Sequence, residues 1–171
     1  MRHGRGIHHH LNGTKYDGDW SQDIKQGYGQ ITSASNEHIY RGTFKNGNYE
    51  NGKGVRQVNG GSYTGSFKKG LIYGQGTMFF SDGREYRGRW KKNIITGFGT
   101  MKWPSGRTYK GLWDENEIAG HGLMIQTDGT RDTGNWKTMA NGSIVMKNSD
   151  NSGTICNVDS TYYRGPLDGK V

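Results

Sequence analysis

Three adjacent histidines, His8, His9 and His10, are the residues of this chain best suited by type to hold a metal ion. Imidazole is the commonest metal ligand, but ligation needs side chains that converge. The triplet lies where a β-strand is expected, and neighbouring strand residues point to opposite faces, so three in a row cannot close on one ion. Paired glycines such as Gly74/Gly76 and Gly97/Gly99 suggest a phosphate-cradling loop. Neither a G-x-x-x-x-G-K-[ST] motif nor a strand-to-helix G-x-G-x-x-G occurs, and no helix follows to supply an N-terminus. Asp114, Glu115 and Glu117 cluster in what reads as a solvated turn, and neither Cys156 nor any serine sits in a nucleophile elbow. The expectation is a chain with no catalytic residues, no metal and no cofactor.

Two sets of residues could instead bind a partner. Arg84, Arg87, Arg89, Lys91 and Lys92 form a basic cluster in a chain of formal charge +8 and pI about 9.6, which favours an acidic protein or anionic lipid. Tyr40, Phe44, Tyr63, Phe67, Tyr86, Trp90, Tyr109 and Trp113 form a regular aromatic stripe. An exposed apolar strip of that length marks binding, so the stripe is a candidate groove for an extended or helical partner segment. Rings and charges alternate, which places them on opposite faces; single-strand nucleic-acid binders combine them in one groove, so nucleic acid is disfavoured.

What positions these residues is a repeat of 23 residues. Tyr86-Arg87-Gly88-Arg89-Trp90 recurs forward at Tyr109-Lys110-Gly111-Leu112-Trp113 and backward at Tyr63 and Tyr40. One longer step reaches Tyr16, and a decayed copy starts at Asp132. Paired glycines follow at Gly27/Gly29, Gly74/Gly76, Gly97/Gly99 and Gly120/Gly122, slipped by one to Gly52/Gly54 in the second copy. Turn glycines follow those, as in Asp82-Gly83, Ser105-Gly106 and Asp128-Gly129. Each unit therefore reads as two strands and two turns, with Tyr86, Gly88 and Trp90 on one face and Arg87, Arg89 and Lys91 on the other. Glycine inside a strand costs about 0.5–1 kcal/mol, and room for a ring from the neighbouring hairpin offsets it. The expected organisation is an array over 1–142, with a half repeat at 4–15, repeats starting at 16, 40, 63, 86 and 109, and a degenerate one at 132. Residues 143–171 keep no register and read as a degenerate cap or a partly disordered tail.

Composition agrees with a thin structure. The 30 glycines and 30% hydrophobic content leave little for a thick core, yet 10 Tyr, 5 Trp and 5 Phe argue against disorder. The single cysteine excludes an intrachain disulfide, and no apolar run reaches the length of a signal sequence or membrane span; both point to a cytoplasmic protein.

The pattern Y-x-G-x-W/F, then G-x-G, then a D/S-G turn on a 23-residue period resembles the MORN (membrane occupation and recognition nexus) repeat over roughly residues 4–136. The resemblance implies an all-β fold, an elongated, single-layer, twisted antiparallel sheet of tandem hairpins with a groove along it. It also implies an attachment module rather than an enzyme. A stand-alone array looks most like the cytoskeletal and ciliary axonemal branch, as in radial-spoke heads. A protein partner within a multi-subunit assembly is the expectation, with peripheral binding to anionic, phosphoinositide-type membrane as the alternative.

Overall fold

The computed structural model describes residues 1–35, 38–148, 152–159 and 161–167. They divide into two compact units, Met1–Met78 with Trp90–Asn93, and Phe79–Arg89 with Ile94–Val171. The first holds β1 (Gly4–His9), β2 (Lys15–Ser21), β3 (Ile24–Thr32), β4 (His38–Lys45), β5 (Asn48–Val58), β6 (Gly61–Lys68) and most of β7 (Leu71–Phe79). The second holds most of β8 (Glu85–Lys91), then β9 (Ile94–Lys102), β10 (Thr108–Asp114), β11 (Glu117–Ile125), β12 (Arg131–Thr138), β13 (Ile144–Lys147), β14 (Ser152–Cys156) and β15 (Tyr162–Pro166). The fold is all-β: no helix occurs among the described residues. Within each unit the strands pair antiparallel with their neighbours in sequence, in an open sheet.

The two turns of each repeat differ chemically. Between its strands lie two residues that both have positive φ, as in Gln22-Asp23 (48° and 64°), Lys92-Asn93 (52° and 69°) and Glu115-Asn116 (47° and 72°). Positive φ at both central positions defines the type I′ turn, whose twist matches that of the flanking strands. Between repeats the turn closes on glycine: Gly83 N–H donates to the Phe80 carbonyl at 3.0 Å, and Asp82 Oδ1 accepts from Arg84 N–H at 3.0 Å. The first glycine of each pair has a backbone role of its own. Gly27, Gly74, Gly97 and Gly120 take φ of 68–105°, and register shifts lie beside Gly27 and Gly120. The second copy lacks this bulge glycine, which is the physical content of its one-residue slip; Gly52 pairs with Gly42 just as Gly29 pairs with Gly18.

Each tyrosine lies over the glycines of its own hairpin, not of a neighbouring one as the spacing suggested. A Cβ on Gly18 or Gly29 would stand 2.5 and 2.6 Å from Tyr16 Oη, and Tyr86 covers Gly88 and Gly99 in the same way. The hydroxyl then finds a partner three residues on: Tyr16 donates to the Asp19 carbonyl at 2.9 Å, Tyr40 to Thr43 at 3.0 Å and Tyr109 to Leu112 at 3.3 Å. A ring folded back to its own strand needs bare backbone beneath it, and only glycine supplies that. Nine residues after the tyrosine the second strand buries an isoleucine, Ile72, Ile95 or Ile118, each 2–3% exposed. Two repeats differ here. Tyr49 stacks flat on Tyr40 at 3.8 Å, and Lys25 holds its ammonium 5.1 Å from the Tyr16 ring.

Lys25 is therefore a charged residue at an apolar position. Burial, then the nearby Arg2, lowers its pKa from the ordinary lysine value. Burying an isoleucine contributes roughly 1.5–3 kcal/mol, against about 0.5–1 kcal/mol for an exposed cation–π contact. Lys25→Ile is thus expected to stabilise the chain by about 1 kcal/mol. An unchanged or lower urea midpoint would refute the role given to this position.

The decayed repeat keeps the layer by substitution. Asp132 stands where the tyrosine would, and Met146 from β13 covers Gly134 in the ring's place. Buried Asp132 is matched by Arg164 of β15 at 2.9 Å, and Tyr162 donates to Asp128 at 2.8 Å. Residues 143–171, without register in sequence, thus supply three strands on the same ladder.

Candidate functional site

The structure places all eight residues of the aromatic stripe in the buried layer. The four tyrosines are 0% exposed, and Phe44, Phe67, Trp90 and Trp113 are 2–6% exposed. Edge-to-face contacts join them, at 5.0 Å between Tyr40 and Phe44, 5.6 Å between Tyr63 and Trp90 and 5.4 Å between Tyr86 and Trp113. Four of the five indoles also donate to a carbonyl fourteen residues earlier: Trp20 to Gly6 at 3.2 Å, Trp90 to Gly76 at 3.4 Å, Trp113 to Gly99 at 3.3 Å and Trp136 to Gly122 at 3.2 Å. Beside these, Asn93 and Ile72 exchange two bonds of 2.8 and 3.0 Å, and Asn116 and Ile95 two of 2.9 and 3.2 Å. The rings are saturated by their own and the adjoining repeats and present almost no surface.

Burial pushes the pKa of Tyr16, Tyr40, Tyr63, Tyr86 and Tyr109 up to about 12, from an ordinary value of 10.0. The folded state therefore favours the protonated phenol. The stability this represents is complete below pH 10 and is lost as pH rises from 10 towards 12. Alkaline titration should show tyrosinate absorbance appearing late and together with loss of β circular dichroism. Tyrosinate forming near pH 10 with the sheet intact would contradict this burial.

The opposite face carries the exposed side chains. Arg87 and Arg89 alternate outward on β8, where Arg87 meets Glu85 at 3.1 Å. Arg84 folds back on Asp82 at 2.7 Å and over Phe80, Lys91 is exposed at the strand's end, and Lys92 occupies a type I′ turn. The basic cluster is thus spread over strand, strand end and turn. On the same face of the second unit, Phe98 and Leu112 stand opposite each other across β9 and β10, 64% and 42% exposed. Leu112 lies against Gly120, and Arg89 against Gly97, because a bulge glycine leaves room for the side chain facing it.

These repeats can now be compared with known proteins. The MORN repeat matches residues 16–37, 63–83, 86–106 and 109–131, together just over half of the chain. The chain belongs to the MORN repeat family. The MORN match passes over the second repeat, whose glycines slip and whose tyrosine is covered by a second tyrosine. No curated protein sequence matches the chain. Among solved structures, it is similar to the Drosophila melanogaster SAS-4 (dCPAP) TCP domain in complex with a proline-rich motif of Ana2 (dSTIL). That likeness has 9% identity and a TM-score of 0.36, covering 94% of this chain and 89% of that one. It is also similar to the Danio rerio CPAP TCP10 domain in complex with a STIL peptide, at 14% identity and a TM-score of 0.36, covering 96% and 75%. The CPAP G-box domain matches at 15% identity and a TM-score of 0.32, covering 94% and 97%.

In the MORN array the remaining chemistry-bearing residues lie apart. His8 and His10 share the ring face, 4.5 Å between ring centroids, while His9 points the other way and is exposed. Among the described residues no three of His, Cys, Asp and Glu could hold a metal ion. Asp114, Glu115 and Glu117 are exposed at the β10–β11 turn. Cys156 is buried, accepts from Gln126 Nε2 at 3.1 Å, and has its thiol pKa raised by burial, the opposite of a reactive thiolate. Sequence reasoning missed Phe98 and Leu112. Their signal was an apolar residue at positions where other repeats carry Tyr28, Gln75 or Ser66.

Proposed function

We propose that this MORN array is a non-enzymatic scaffold that holds a protein partner on the exposed side of its sheet, as one component of a cytoskeletal assembly. The observation that carries the reading is where the strongly shifted titratable groups lie. An active site concentrates them in an open cleft. Here the large shifts belong to five tyrosines buried as packing, one per repeat. What is left is a broad outward face on each unit. The family resemblance supports an axonemal, radial-spoke-like setting in a cilium or flagellum, and no helix among the described residues is long and apolar enough to cross a membrane. The test is quantitative cross-linking of the full chain in ciliated-cell extract, expected to yield one saturable, stoichiometric protein complex. Only sub-stoichiometric adducts would overturn the reading.

The second reading is peripheral attachment to anionic, phosphoinositide-type membrane through the basic residues Arg84, Arg87, Arg89, Lys91 and Lys92. Outward-facing Arg87 and Arg89 favour it. Each basic residue near such a surface contributes about 1 kcal/mol, so co-sedimentation with anionic vesicles at physiological salt is the measurement that decides.

A further inference from the structure

Positions that face outward in every repeat differ between the two units. In the first they are mixed: Asp17 and Asp19 on β2 are separated by β3 from Arg41 on β4 and Lys53 on β5, and Tyr28 is tied to Arg41 at 2.8 Å. In the second they turn one-sidedly cationic, with an apolar centre. Arg89, Lys102, Lys110, Arg131 and Lys137 are all exposed, and none has a carboxylate within 4.0 Å among the described residues. Phe98 and Leu112 are cross-strand partners between them, and Lys110 lies opposite both Thr100 and Leu123. Carboxylates occur at the margins: Glu85 begins β8, Asp114 ends β10, Glu117 begins β11, and Asp128 is in a turn.

We propose that this face of the second unit docks an acidic amphipathic segment of a protein partner, anchored on Phe98 and Leu112. The inference rests on the scaffold reading and gives it a surface and a partner chemistry. Unpaired cations around an exposed apolar pair match a segment with apolar residues on one side and carboxylates on the other. The arrangement favours a chain segment over a membrane. A bilayer would cover the whole face, including Glu85, Glu117 and Asp128, whereas a segment running across the strands over the apolar pair and Lys110 covers a narrower band that leaves these strand-end and turn carboxylates at its edge. Crossing β8 to β12 takes about 19 Å, at roughly 4.8 Å per strand, the length of a helix of about 13 residues.

The test uses the full chain and a fluorescent peptide of that length, with leucines along one helical face and glutamates elsewhere. The intact chain should bind it with an affinity that falls steeply as salt is raised. Phe98→Ser with Leu112→Ser should weaken it about tenfold or more without lowering the melting temperature, since both side chains are exposed. Lys110→Glu with Arg131→Glu should weaken it similarly and flatten the salt dependence. An all-glutamate peptide should bind at least tenfold more weakly, which shows that the apolar anchor matters. Equal binding of the all-glutamate peptide, or no effect of either double variant, would overturn the proposal. So would tighter binding to phosphatidylserine vesicles or to a deoxythymidine oligonucleotide than to the peptide. If either double variant leaves the cross-linked complex from extract unchanged, the surface is wrong while the scaffold reading stands; if no such complex forms at all, the scaffold reading itself fails.

Discussion

Tyr86→Ala is expected to destabilise the chain by about 3–5 kcal/mol, the range for removing a buried aromatic side chain. Tyr86 is 0% exposed, covers Gly88 and Gly99, donates to the Arg89 carbonyl at 3.3 Å and meets Trp113 edge to face. Its loss opens a cavity that two glycines cannot fill. One residue along the same strand, Arg87→Ala should change stability by no more than about 0.5 kcal/mol, because an exposed ion pair contributes little. Urea denaturation of both variants checks this, and equal midpoints would invalidate the assignment of faces.

That contrast was legible in the sequence because strand alternation carries it. The period and the two-residue alternation place Tyr86 and Trp90 inward and Arg87 and Arg89 outward, as the burial pattern of β8 shows. Which glycines a ring covers was not legible, since own and neighbouring hairpins carry the same letters at the same spacing. How the aromatic stripe divides between groove and packing is not legible in the sequence for a related reason. Alternation says which residues share a face, but not that the rings and the isoleucines Ile95 and Ile118 would all be buried to 0–6% exposure. Beyond residue 142 the period fails because other side chains take over familiar jobs. Met146 covers a glycine in place of a ring, and Arg164 forms an ion pair with the aspartate that replaced a tyrosine. Backbone ladders such as β13 to β15 leave no letter signature at all.

Gly29→Ala should cost about 2–3 kcal/mol through overpacking alone. The added methyl would stand 2.6 Å from Tyr16 Oη and 2.7 Å from Cε2, on a ring that is 0% exposed and cannot yield. Gly6→Ala is the control. Its methyl would meet Trp20 at an ordinary 3.6 Å, so the change should be neutral or slightly stabilising through reduced freedom of the unfolded chain. Thermal unfolding of the pair separates steric from conformational glycines, and similar losses for both would refute the tyrosine-over-glycine packing.

Side chains of one hairpin complete the hairpin before it. Trp90, Trp113 and Trp136 each reach back fourteen residues, and Asn93 and Asn116 seat themselves on an isoleucine of the hairpin before. No hairpin thus holds its full set of partners until the one after it exists. On a ribosome, where the N-terminal end emerges first, a newly made hairpin would wait about one period of translation before it closed. Maturation would then trail synthesis by a constant distance, so a stalled chain would expose one unfinished hairpin and not an unfolded domain.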